Sequence, residues 1–117
     1  MKTTFPWGVR FDDGREVINL LTKAGRDEYH RRIRLMWERQ NRRCCLEHVV
    51  KDCPGYLKIT EAQFEHQDGK GMSGSHRDDR IERPDPNTGE MKPYNGAAHP
   101  WCNHKKGSVR IDYHEVP

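Results

Sequence analysis

The chain has 117 residues, 32% of them hydrophobic and 33% charged, with a mean hydropathy of −1.13. That length suits one domain and not two, and no run of about 18 apolar residues is present to span a membrane. A domain this size buries only about 65% of its unfolded surface, so a core this lean needs a staple, either a disulfide or a metal.

The first ten residues lack the apolar stretch of a signal peptide, which places the chain in the cytoplasm. A reducing compartment disfavours disulfides among Cys44, Cys45, Cys53 and Cys102, and with seven histidines present the staple reads as zinc. Residues 1–23 are expected as an N-terminal extension, with a turn at Asp12-Asp13-Gly14, and 24–117 as a single domain. From about Gly25 to Asn41 the periodicity predicts a helix burying Tyr29, Ile33, Met36, Trp37 and Gln40 on one face. Between Arg26 and Arg43 seven arginines stand against Asp27, Glu28 and Glu38. Such a patch suits a polyanion, as does the cluster Lys105, Lys106 and Arg110, although a solvated helix face would read the same way.

Residues 44–57 lose periodicity and turn at Pro54-Gly55. A short hairpin is expected next, its second arm being Ala62–Gln67 with Phe64 and His66 on opposite faces. The glycines and serines of 69–75 predict a flexible loop. The run Arg77-Asp78-Asp79-Arg80 reads as a salt-bridged brace. Ile81 and Tyr94 flank a turn over 84–89, and Asn95 is placed to cap a helix to about Lys106, with Gly107 stopping it. The tail from Ser108 to Tyr113 alternates like a final strand.

A helix over this last segment puts His99, Cys102 and Asn103 at i, i+3 and i+4, on one face. Two zinc-type ligands thus project together, and the cysteines before the hairpin can complete the set. Cys53 with Cys45 or Cys44 gives a Cys₃His site, the closed tetrahedral type, and His48 is a weaker fourth ligand. His76 and His104 read as surface residues.

Taken jointly, this order resembles the HNH endonuclease family. The run Glu-Arg-Gln-Asn-Arg-Arg-Cys-Cys (38–45) is similar to a helix end entering a zinc knuckle. Glu65-His66 stands at the acid–base dipeptide, Asn95 at the middle asparagine, Cys102-Asn103 at the helix motif, and Lys106-Gly107 at its stop. The resemblance covers about residues 30–110. It departs from the family at His99, which stands where a cysteine is usual, and at Glu47, which breaks the first Cys-x-x-Cys. It departs again in the 28 residues between His66 and Asn95.

The resemblance implies an α+β fold, a small ββα-metal (His-Me finger) core with an N-terminal helix and a structural Zn²⁺. It implies a phage or mobile-element nuclease cutting phosphodiester bonds, with double-stranded DNA as the expected partner. His66 would be the general base and Asn95 would orient its loop. Glu65 and Asn103 would hold Mg²⁺ or Mn²⁺, and Arg31, Arg32, Arg34, Lys105 and Lys106 would meet the backbone. The rival expectation is a non-catalytic zinc-stabilised nucleic-acid-binding module, which has no use for Glu65-His66 or Asn103.

Overall fold

The computed structural model describes residues 1–69 and 76–115. It is a small α+β structure with two α-helices and three small antiparallel sheets among these residues. The chain opens with a meander of three short strands, β1 (Lys2–Phe5), β2 (Gly8–Phe11) and β3 (Glu16–Ile18), in register Thr4↔Val9 and Val9↔Val17. The turn read at Asp12-Asp13-Gly14 joins β2 to β3, with Gly14 N–H bonded to the Phe11 carbonyl at 2.9 Å. The segment expected as an extension is therefore an ordered sheet. Its last strand is held by the interior, with Ile18 N–H donating to Asp79 at 2.8 Å.

The helix α1 spans Lys23–Arg39, and Thr22 caps it by accepting from Gly25 N–H at 3.0 Å. It ends where Asn41 and Arg42 take positive φ angles of 57° and 63°. Its buried face carries Ile33, Met36 and Trp37, which pack on Leu46, Val50, Leu57 and Phe64. Each such side chain contributes about 1.5–3 kcal/mol of burial. Trp37 also donates its indole N–H to the Leu57 carbonyl at 2.6 Å, so the largest core residue leaves no polar group unmet.

After α1 the chain forms a knuckle. Arg43 bridges Tyr56, Cys44 N–H bonds the Gly55 carbonyl at 2.7 Å, and Leu57 N–H bonds the Arg42 carbonyl at 3.0 Å. Gly55 has φ +88°, and a Cβ there would stand 2.0 Å from the Arg43 guanidinium, so this turn requires glycine.

Strand β4 (Gln63–Glu65) does not pair back across the Pro54-Gly55 turn. It pairs antiparallel with a later strand, β7 (Gly96–Ala98), in register Phe64↔Ala97. Residues two apart on a strand share a face, and the Phe64 and His66 rings accordingly stack at 4.9 Å, not on opposite sides. Between β4 and β7 lies a second hairpin, β5 (Glu82–Pro84) with β6 (Met91–Pro93), around the turn expected at 84–89. The loop expected at 69–75 lies, apart from Gly69, outside the described residues.

The second helix, α2, spans Pro100–Lys106 with His99 as N-cap, so Asn95 is not its cap. Alanine's helix preference at 97 and 98 is overridden by tertiary pairing. Ala97 exchanges hydrogen bonds with the Gln40 carboxamide at 2.8 and 2.9 Å, and proline at the first helical position fixes the start. The tail makes no strand. Ile111 N–H reaches the Gln67 carbonyl at 3.3 Å, and a 3₁₀ turn follows at Tyr113–Glu115. Its alternation records Ile111 and Tyr113 packing on the core.

Candidate functional site

Two clusters flank the strand–strand–helix unit β4–β7–α2. The first is Cys44, Cys53, His99 and Cys102, whose ligand atoms all lie within 4.8 Å of one another. The knuckle supplies two cysteines, and the first turn of α2 with its N-cap supplies the histidine and the third cysteine. His99 Nδ1 lies 3.6 Å from Cys53 Sγ and 3.7 Å from Cys102 Sγ. Ligands on a tetrahedral zinc, with bonds of about 2.3 Å to sulfur and 2.05 Å to nitrogen, stand about 3.6 Å apart across an S···N edge. The cluster is thus a Cys₃His set compatible with a structural zinc.

The imidazole is oriented for this role. His99 Nε2 lies 2.9 Å from the Tyr56 carbonyl, which can only accept, so Nε2 carries the proton and Nδ1 turns its lone pair to the sulfurs. Leu46 N–H donates to Cys44 Sγ at 3.4 Å. Burial raises the Cys44 and Cys102 thiols above the ordinary range, and the neighbouring sulfurs raise them further. A divalent cation reverses that preference, because a coordinating thiol is deprotonated outright.

Of the two cysteines left open by the sequence, the cluster takes Cys44 and not Cys45. The two residues bond in different directions: Cys44 N–H meets Gly55 in the knuckle, while Cys45 N–H meets Ala97 on β7 at 3.0 Å. The Cys45 side chain consequently packs by Gly96 and Tyr113. His48 is exposed beside Glu47, at 3.6 Å, and takes no part.

The second cluster gathers around the end of β4. His66 is buried, with Nε2 2.7 Å from Asp79 Oδ1, and its ring lies on Phe64, which in turn stacks on Tyr29. Burial alone would raise the Asp79 carboxyl. Hydrogen bonds from His66, Arg77 and Ile18 N–H outweigh it and hold Asp79 below the usual carboxylate range. An ionised carboxylate only accepts, so Nε2 carries the imidazole proton. Nδ1, which has no hydrogen bond among the described residues, is left as the basic nitrogen.

Asn95 is fully buried and uses its whole amide. Oδ1 accepts from Gln67 N–H at 3.1 Å, and Nδ2 donates to the Asp78 and Arg80 carbonyls at 2.8 and 2.7 Å. It therefore ties the residue after His66 to the segment that carries Asp79. That segment is a brace: Arg77 pairs with Asp79 at 2.6 Å and Arg80 with Asp78 at 2.8 Å.

Glu65 is 1% exposed, and its carboxylate meets the Lys106 ammonium at 2.6 Å. Lys106 also donates to the His66 carbonyl at 3.1 Å. Burial pushes the Glu65 carboxyl up, against the pull of Lys106. Asn103, half-buried on α2, donates to the Phe64 carbonyl at 3.3 Å, so it sits against the same strand.

The basic residues divide. Arg32 is buried and clamped by Glu28 at 2.6 Å, Glu16 at 2.8 Å and the Asp79 carbonyl at 2.9 Å, with Trp7 beneath its guanidinium. It is a packing element that no phosphate reaches, and the Lys106 side chain, at 0% exposure, is equally withdrawn. Arg31 is exposed but held by Glu28 through two bonds of 2.7 Å. Arg34 and Lys105 remain at the surface. No helix among the described residues is long and apolar enough to cross a membrane.

Sequence reasoning missed Asp79 as the partner of His66 and Lys106 as the partner of Glu65. Neither the family models nor the curated proteins nor the solved structures give a match to this chain.

Proposed function

We propose that this chain is a zinc-stapled, metal-dependent endonuclease of the HNH kind, acting in the cytoplasm on phosphodiester bonds of double-stranded DNA. The observation that carries the reading is the imidazole of His66, fixed by Asp79 at the end of the first strand of a strand–strand–helix unit, with Nδ1 left free to take a proton.

The residues present fit a divalent ion by donor chemistry. Glu65 is a buried carboxylate whose cation in the chain is Lys106, and Asn103 adds an amide oxygen on the same unit, together a hard-oxygen set suited to Mg²⁺ or Mn²⁺. When bound, the ion would neutralise charge developing on the scissile phosphate and leaving oxygen.

The protein's own part is proton management. His66 Nδ1 accepts a proton from the attacking water, and Asp79 holds the tautomer that makes this possible and steadies the imidazolium that results. Asn95 touches no substrate and is a positioning residue that keeps the His66 and Asp79 segments in register. The exposed cations Arg34 and Lys105, with Arg31 where Glu28 releases it, are the candidate backbone contacts.

A second reading, a zinc-stabilised nucleic-acid-binding module, is favoured by the neutralisation of Glu65 within the chain. Plasmid incubated with Mg²⁺, Mn²⁺ or chelator, with His66→Ala beside the wild type, separates the two. Metal-dependent cleavage lost in His66→Ala supports the nuclease, and DNA binding without cleavage in either protein supports the module.

A further inference from the structure

We infer that Lys106 is the resident cation of the Glu65 site, an internal ammonium that must leave the carboxylate before a divalent ion can take its place. The inference rests on the nuclease reading, in which Glu65 holds such an ion.

The geometry is that of a filled cation position. The Lys106 ammonium meets two oxygen acceptors, the Glu65 carboxylate at 2.6 Å and the His66 carbonyl at 3.1 Å. The side chains of the pair are 0% and 1% exposed, so water does not share the task. A buried carboxylate without a counter-ion is strongly disfavoured, and in the metal-free chain the lysine is what allows Glu65 to stay in the interior. It comes from the last turn of α2, one helical turn after Asn103, so ammonium and proposed metal ligand descend from the same short helix.

A divalent ion on Glu65 would stand within a few ångströms of that ammonium, and like charges at such a distance in a low-dielectric site repel. The two cations therefore exclude each other. Metal binds only the fraction of molecules in which Lys106 has swung away, and its apparent affinity is lowered by that fraction. A flexible four-carbon stem suits the exchange, because the compact ammonium can move without unfolding the helix.

The test is a Mn²⁺ titration of zinc-loaded, full-length protein, with free Mn²⁺ read by electron paramagnetic resonance and no substrate present. Lys106→Gln, which removes the charge and keeps a hydrogen-bonding tip, should bind Mn²⁺ at least about tenfold more tightly than the wild type. Lys106→Arg, which restores a cation, should return the affinity to the wild-type level or below. If Lys106→Gln does not fold alone, addition of Mn²⁺ should recover a cooperative melt, and no recovery overturns the proposal. Equal or weaker Mn²⁺ binding in Lys106→Gln also overturns it, while leaving the nuclease reading intact. Absence of Mn²⁺ binding in every variant and in the wild type removes the divalent site itself, and both readings fall together.

Discussion

The two polar clusters either side of β4–β7–α2 solve the problem of buried polarity in different ways. Around Cys44, Cys53, His99 and Cys102, the Tyr56 carbonyl orients the imidazole and the four ligand atoms converge on a space that suits a zinc ion. Around Glu65, His66 and Asp79, every charge already has a partner supplied by the chain: Lys106 for Glu65, and Arg77 with His66 for Asp79. The first cluster is a ligand set compatible with zinc, and the second is a network neutralised by the chain's own side chains. The difference teaches that losing metal should damage the fold through one cluster, whereas chemistry should fail through the other with the fold kept.

The largest expected effect is on the first cluster. Native mass spectrometry should find one zinc per chain, and stripping it should remove folding free energy on the order of 10 kcal/mol, more than so lean a core can spare. A zinc-free protein with an unchanged melting curve would remove the contrast altogether. Cys44→Ser should share the loss, whereas Cys45→Ser should keep the zinc.

Next comes the proposed base. His66→Ala should lower plasmid cleavage by roughly 10²–10⁴-fold while zinc content and DNA affinity hold, and added imidazole should recover part of the rate. Cleavage at the wild-type rate by His66→Ala refutes the assignment of the base.

Asp79→Asn probes the network at an intermediate level. It removes the charge that meets Arg77 and His66 and weakens the tie to β3, at a cost of about 3 kcal/mol by chemical denaturation. Because the folded carboxyl titrates below its unfolded value, its contribution is complete above the unfolded pKa. It is lost as pH falls through the lower folded pKa. The variant should therefore lose most stability near neutrality and match the wild type at the acid end. An equal deficit at every pH would show that the charge of Asp79 is not what holds β3.

The smallest effect concerns the surface. Replacing Arg34 and Lys105 by Gln should flatten the salt dependence of DNA binding by roughly one log–log unit per lost phosphate contact. Arg32→Gln should instead lower the melting temperature, since its guanidinium is spent on Glu16 and Glu28. An unchanged slope in the first variant returns that face to plain solvation.

The sequence was most legible where chemistry depends on local spacing. Cys102 follows His99 by three residues, and the apolar face of α1 recurs at helical intervals, so both could be read directly. It was least legible where partners meet through tertiary structure. Nothing in spacing distinguishes Cys44 from Cys45, because the choice is made by which backbone each adjoining N–H finds, Gly55 or Ala97. Asp79 and His66 meet across an intervening segment of no set length. The strands of 1–18 are three or four residues long, too short for alternation to stand out, and they form because their neighbours pair.

A two-stranded ribbon has two lateral edges, each able to recruit a further strand from another molecule. On the β7 side that opportunity is closed by the Cys45 N–H, which bonds the Ala97 carbonyl, and by one side chain. Gln40, at the end of α1, presents its carboxamide to both the N–H and the C=O of Ala97, standing in for the peptide group of a missing strand. Its orientation is held by a third bond, to the Arg43 carbonyl at 2.7 Å. Gln40 thus completes the β7 edge from inside the fold: a Gln40→Ala chain would leave the buried Ala97 N–H without its acceptor, and its melting temperature should fall below that of the parent.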